Sequence, residues 1–305
     1  LETVKTLDVN DIYMLVTGIV LGTAARLLTL KVDMRQIPSY PSAYFNNMIH
    51  GFIAASLGAI AIPALAARDY TAVTFLTLAV TQFREVRTSE QESLSKLEHT
   101  EYAGRGKAYI DGIAKTFESR FYISLLTALV SVLVMKVTDM DSIPLGIALG
   151  VVSGGIVMYL CYRFTKGRTV GQIFDVAPGK IEVRGSELYV DGMFVTNYLG
   201  TDRSRALFKK EGLAVVVTPR TEASRMTLEN YGQRQAILFE AVRALGVKRY
   251  KFMRRHFASG KVLIAFVPIF RDENRLLSAV KKTPILENSR KIERIMKTSF
   301  GGRHG

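Results

Sequence analysis

Residues 143–162 (IPLGIALGVVSGGIVMYLCY) contain no charge, and their length is what a helix needs to cross the roughly 30 Å hydrocarbon core of a bilayer. Residues 12–30, with Arg26 inside, qualify as well, as do 49–67, where Pro63 should introduce a kink, and 121–137. Residues 71–83 are shorter. They span by borrowing their polar flanks, form half of a re-entrant hairpin, or pack inside the bundle. The sequence therefore predicts an α-helical transmembrane bundle of about five spans, or four with a re-entrant piece. Every one of these segments precedes Arg163. Of the 41 Lys and Arg, 13 precede Arg163 and 28 lie at or beyond it, while the 27 Asp and Glu divide 14 and 13. The two parts thus carry −1 and +15, which divides the chain into a transmembrane region, 1–162, and a small basic α/β domain, 163–305.

Lys and Arg next to a span favour the cytoplasmic side. Arg163, Lys166 and Arg168 directly follow the last span, so the carboxyl-terminal domain is expected in the cytoplasm of a multi-pass cell-membrane protein. Two spans separate it from the loop 84–120, which returns that loop to the same side, where the two polar modules can meet. Five spans put the acidic amino-terminal end outside. The first apolar segment has an acidic flank and no small-residue cleavage site before Lys31, so it is expected to remain as a span. A single Cys161 excludes an internal disulfide and fits a reducing compartment.

Lipid tails give helices no hydrophobic reason to associate, so close contact relies on small residues that let backbones approach. Gly18 and Gly22, the series Gly51, Ala55 and Ala59, and Gly146, Gly150 and Gly154 each recur at four-residue spacing. These stripes predict packing within the bundle or against a second copy of the chain. Arg26 continues the first stripe. It either snorkels to the interface or pairs with Asp33 or Asp111. Between the first two spans, Pro38 and Pro41 favour an extended path, and Tyr40, Tyr44 and Phe45 are expected to anchor at headgroup level.

The loop 84–120 holds seven basic and seven acidic residues, a balance that fits a solvated helix better than a phosphate site. Glu92 and Lys96 are correctly ordered for an i, i+4 pair. The candidate functional residues are Glu98, His99, Glu101, Arg105 and Lys107, followed by Tyr109, Ile110, Asp111, Gly112, Ile113 and Ala114. Gly104 and Gly106 could present backbone amides to an anion, although their spacing is not that of a P-loop.

The hexapeptide Tyr109-Ile-Asp-Gly-Ile-Ala resembles the one that names the YIEGIA family, polytopic membrane proteins of spore-forming Firmicutes, with Asp111 where the family has Glu. The resemblance extends to the length, the multi-span first half, the segment Arg35-Gln-Ile-Pro-Ser-Tyr-Pro and the basic end. It implies a role linked to sporulation, in controlling the turnover of other proteins. The Asp for Glu change keeps the carboxylate and shortens its reach.

In the soluble part, 180–185 and 187–199 alternate like strands around a Gly-Ser hairpin signal. Residues 213–218 and 261–270 are further apolar strands. Residues 223–245 predict one helix, with Leu228, Tyr231, Leu238, Val242 and Leu245 on its buried face and Gly246 as its stop. Helices are also predicted over 272–281 and 285–297. Lys248, Arg249, Lys251, Arg254 and Arg255, interleaved with aromatics, form a candidate basic surface, and the tail helix repeats that theme. Membrane lipids and other proteins, acidic ones among them, are its expected partners. Nucleic acid is not, since no matching recognition motif accompanies the charge.

No HExxH, GxSxG, Walker A or paired CxxC motif is present, and no metal or cofactor is expected. The leading expectation is a sporulation-associated membrane protein that binds other proteins through the loop and the basic domain, and regulates their activity or stability. The alternative is a membrane protease or protease component, for which Ser93 and Ser95 with Lys96, Glu98, His99, Glu101 and Asp111 are the residues to inspect. A solute transporter ranks third.

Overall fold

The computed structural model describes residues 9–33, 41–138, 142–165 and 167–289. The chain forms two compact units: Leu1–Leu94 with Ile113–Lys166, and Ser95–Gly112 with Gly167–Gly305, as far as the described residues go.

The first unit is built on five helices: α1 (Val9–Asp33), α2 (Pro41–Ala66), α3 (Tyr70–Glu98), α4 (Lys107–Thr138) and α5 (Ile143–Thr165). Helices α3 and α4 each also lend one end to the second unit. Among the described residues, four helices are long and apolar enough to cross a membrane: α1, α2, α4 and α5. Helix α3 is not one of them, because its apolar residues 71–83 continue without a break into the charged stretch up to Glu98. The helix has no turn after Phe83, so a re-entrant hairpin would have to turn before Tyr70. Most of 84–120 is helix, in line with its charge balance, with 99–106 between α3 and α4. Segment 34–40, with Tyr40, and the side chain of Tyr44 lie outside the described residues. Pro41 opens α2 and Phe45 on it is exposed.

The helices alternate in direction. Lys136, near the end of α4, pairs with Asp11 at the start of α1 at 2.9 Å, whereas Arg26, near the end of α1, stacks on Phe117 and Phe121 early in α4. Arg87 of α3 pairs with Glu118 at 3.2 Å, and Phe83 stacks on Phe121, so α3 also runs opposite to α4. Small residues set the close approaches. A Cβ on Gly22 would lie 2.6 Å from the Ala55 Cβ and 2.7 Å from the Ser124 carbonyl oxygen, and one on Gly58 would run into the Leu125 carbonyl. Gly18 faces Val132, Gly150 faces Met135 and Gly154 faces Ser131, while at Gly146 there is nothing within 4 Å.

Arg26 does not snorkel. It is fully buried, Nη2 donates to Asn47 Oδ1 at 3.0 Å, and the guanidinium lies 5.0 Å and 5.1 Å from the centroids of Phe117 and Phe121. The reason is Gly51, where a Cβ would come within 2.5 Å of the Arg26 side chain. The missing side chain opens a slot, and stacking on aromatic faces compensates part of the desolvation. The side chain of Asp33, one expected partner, lies outside the described residues.

The second unit contains α6 (Val170–Ile173), β1 (Phe174–Pro178), β2 (Ile181–Arg184), β3 (Glu187–Val190), β4 (Met193–Thr196), α7 (Asp202–Glu211) and β5 (Leu213–Pro219). After these come α8 (Glu222–Glu229), α9 (Tyr231–Leu245), β6 (Val247–Arg255), β7 (Val262–Pro268) and α10 (Glu273–Lys282). One antiparallel sheet has the order β1-β5-β7-β6, and a second has the order β2-β3-β4. Val215, Val217, Ile264 and Phe266 pack with Ile237, Ala241 and Leu245 of α9 and Leu276 and Val280 of α10. The alternate residues Ala214, Val216, Leu263 and Ala265 pack with Leu188, Val190, Val195 and Phe208. With both faces covered, β5 and β7 are apolar at almost every position instead of alternating.

Two predicted elements divide. Residues 187–199 are two strands, because Asp191 and Gly192, at φ 50° and 73°, make a tight turn of the kind that joins hairpin strands. Residues 223–245 are two helices, because Asn230 leaves the helical conformation and its side chain caps α9 by accepting from the Gln233 amide at 3.3 Å. That break leaves Tyr231 63% exposed, not on the core face. Of the predicted tail helix, 290–297 lie outside the described residues.

Replacing Gly58 with Val should destabilise the purified protein in detergent by about 1–3 kcal/mol through overpacking, read as a lower temperature for loss of its monodisperse peak. The same change at Gly155, where a Cβ would meet nothing within 4 Å, should leave that temperature unchanged.

Candidate functional site

Tyr109 to Gly112 of the hexapeptide, with the segment before it, belong to the second unit and are held there by buried polar and aromatic contacts, while Ile113 and Ala114 belong to the first. After α3 the chain turns through 99–106, and Glu98 closes that turn by accepting the Gly106 amide on Oε1 at 2.9 Å. Gly106 holds φ at 84°, a left-handed value that glycine adopts without steric cost. A Cβ there would also sit 2.7 Å from Gln235 Oε1. At this glycine turn the Gly106 amide thus meets the chain's own Glu98 carboxylate. Arg105 is buried as well. It pairs with Glu101 at 2.6 Å, and its guanidinium lies 4.8 Å from the Phe239 centroid.

Tyr109 is 2% exposed. Its hydroxyl donates to Glu240 Oε1 at 2.6 Å, and its ring meets Phe239 edge-on at 6.1 Å. The other oxygen of Glu240 accepts from Arg243 Nη2 at 2.6 Å. Gln235 Nε2 donates to the Gly104 carbonyl at 3.3 Å, and Gly232 leaves room for Ala108. On α9 the positions 232, 235, 239, 240 and 243 follow helical three- and four-residue spacing. They form one stripe against 102–109, while 237, 241 and 245 form another on the sheet. Helix α9 is consequently buried from two sides. A buried carboxylate needs donors, and Glu240 on an otherwise apolar stretch of this helix is the one sequence sign that α9 receives a polar partner; it does not say which.

Ile110, Ile113 and Ala114 are buried, and Asp111 and Gly112 are half-buried. His99 and Lys107 are exposed. Among the described residues, Ser93 and Ser95 make no hydrogen bond to Lys96 or His99, and the carboxylates of Glu98 and Glu101 are occupied by Gly106 and Arg105.

The expected basic surface is strand β6, and most of its cations are engaged. Lys248 pairs with Glu211 at 2.7 Å, and that bond holds the Glu211 carboxyl below its usual range. The Lys251 ammonium donates to the Tyr102 carbonyl and lies 4.5 Å from that ring's centroid, and burial lowers its pKa. Arg249 lies over Tyr250 and Arg254 over Phe194, at 5.7 Å and 4.7 Å. Arg255 pairs with Glu229 and stacks on Phe257 at 4.4 Å.

These features define a class of protein with helices long and apolar enough to cross a membrane, and with an α/β domain that takes in a segment from between them. The family model for the YIEGIA protein matches residues 14–295, and the chain belongs to the YIEGIA family. It is 36% identical over 285 residues to the uncharacterized protein YphB of Bacillus subtilis (strain 168), covering 91% of this chain and 93% of that protein. No solved structure matches.

Tyr109→Phe removes a hydroxyl bonded to a buried carboxylate and should cost about 1–3 kcal/mol, with faster amide exchange over 99–106. In a Glu240→Ala background the same change should cost almost nothing further. Equal costs in both backgrounds would sink the pairing.

Proposed function

We propose that the chain is a multi-pass membrane protein of sporulating cells whose cytoplasmic part binds other proteins and regulates their activity or stability. The observation that supports this is the clamp around Tyr109 and Glu240. In this reading Tyr109 anchors the segment 95–112 on α9 and so holds a protein-binding surface in place. The membrane and sporulation elements draw on the four apolar helices and on the family resemblance. Among the described residues Ser93 and Ser95 make no hydrogen bond to Lys96 or His99, so the protease alternative draws no support from them.

The proposed arrangement has five crossings. Helix α3 is 29 residues long, about 44 Å at 1.5 Å per residue, and it runs opposite to α4, as a crossing helix between α2 and α4 should. The basic residues after α5 favour the cytoplasm for the domain. Helices α4 and α5 return the chain to the side on which 95–112 lies, in keeping with the packing of that segment on α9. The amino-terminal end then lies outside.

In a Cys161→Ser background, Thr6→Cys should react with an impermeant maleimide in intact cells and Ser259→Cys only after permeabilisation. Shielding of Thr6→Cys would remove the fifth crossing. For function, time-resolved proteomics on sporulating cells with wild type, a deletion or Asp111→Ala, with the tagged protein recovered in parallel, is expected to show partners lost from the variant. Proteins that accumulate in both mutant strains while still co-purifying with Asp111→Ala would favour cleavage instead.

A further inference from the structure

The four-stranded sheet ends on β6, and among the described residues no strand pairs with its outer edge. Its first half is irregular. Register shifts fall between Val247 and Arg249 and between Arg249 and Lys251, and Tyr250 sits at φ 55°. Bulges of this kind bend an edge out of reach of another strand. The second half is regular, with Lys251 to Arg255 pairing residue for residue with Phe266 to Val262 of β7. The usable free edge is therefore short and sharply bounded.

Along that regular half runs an open groove of about 700 Å³. One wall is the α8–α9 corner, with Glu229, Tyr231 and Arg234, and the other is the end of β4 and its exit through Tyr198. Phe252 belongs to the core on the small-sheet face and Met253 to the core on the helix face, and both line the groove. This places the groove at the rim of the strand. Tyr198, Tyr231 and Phe257 are 77%, 63% and 70% exposed, so three large rings border it.

The charge is one-sided. Arg234, Arg254 and Arg255 line the groove with one carboxylate, Glu229, which Arg255 already pairs. Arg234 donates to the Leu228 and Glu229 carbonyls and Arg254 lies over Phe194. Neither has a carboxylate partner among the described residues. Strand β6 carries five cations and no acid, so two such edges repel each other. A second copy of the chain is disfavoured here, and a strand of opposite sign is favoured.

We propose that this groove takes an extended acidic segment of another protein, added as a further strand on the free edge of Lys251 to Arg255. Carboxylates on one face of the added strand meet Arg254, which lies over Phe194 on the small-sheet side, and apolar side chains on the other face lie against Tyr231 and Phe257. Main-chain hydrogen bonds supply affinity and the flanking side chains supply selectivity, as in other strand-addition sites. The inference rests on the protein-binding reading above and gives it a seat and a partner chemistry.

The test uses the full chain in detergent micelles and a fluorescein-labelled octapeptide of alternating Glu and Val. Fluorescence anisotropy should show binding that drops at least tenfold with Arg254→Glu and with Tyr231→Ala, both changes at exposed positions. A Lys-Val octapeptide should not bind, and N-methylation of every backbone amide of the Glu-Val peptide, which removes the donors of both strand edges, should abolish binding. Amide exchange over 251–255 should slow when the peptide is added. Undiminished binding by the N-methylated peptide, or unchanged exchange, would overturn strand addition. So would a peptide that does not bind while anionic vesicles bind and are lost with Arg254→Glu. In cells, an Arg254→Glu protein that loses the peptide yet retains its co-purifying proteins moves the seat away from β6. A wild-type protein with no co-purifying protein overturns the broader reading even if the peptide binds.

Discussion

A carboxylate in the middle of a buried helix face must find donors or lose its charge, and in this protein the donors of Glu240 are Tyr109 and Arg243. The arrangement of the second unit depends on that requirement. Tyr109 reaches Glu240 only because α4 has already begun at Lys107, and α4 begins there because Glu98 and Gly106 close the preceding turn. Arg105 and Gln235 complete the contact on either side of the turn. Of the six residues that mark the family, four are buried, and Tyr109 carries the contact with α9.

In the helical unit the same economy applies to a cation. Gly51 vacates the space that Arg26 fills, and two phenylalanines of α4 cover its guanidinium. Arg120 donates to the Thr29 carbonyl at 3.0 Å, so two arginines tie the end of α1 to the first half of α4. Close backbone approach at Gly22 and Gly58 supplies the packing that lipid cannot.

The amino-acid pattern revealed those parts of the fold that repeat at short range. Long apolar runs gave α1, α2 and α5, four-residue glycine spacing gave most of the close helix contacts, and unbroken Val and Ile runs gave β5 and β7. It hid features in which one side chain overrides the pattern. Asn230 breaks a helix whose periodicity continues across it, and Asp191-Gly192 turns a strand back without disturbing its alternation. Strand β6 was hidden because its cations stack on rings and pair with carboxylates, so the run looked like a free surface. The hexapeptide could be singled out as unusual, but its partner Glu240 lies 131 residues away, beyond the reach of any spacing argument.

The order of strands in the larger sheet has a consequence for synthesis. Strand β5 lies between β1 and β7, and the three strands of the small sheet are inserted in the chain between β1 and β5. From β1 at Phe174 to the end of β7 at Pro268, a ribosome working at about 5–20 residues per second takes roughly 5 to 20 s. During that interval the LAVVV run of β5 has one neighbour at most, and the surface that will receive Tyr109 does not yet exist. Segment 95–112 leaves the ribosome early and must wait for α9, so the family hexapeptide is among the earlier parts of its unit to be made and among the last to be housed.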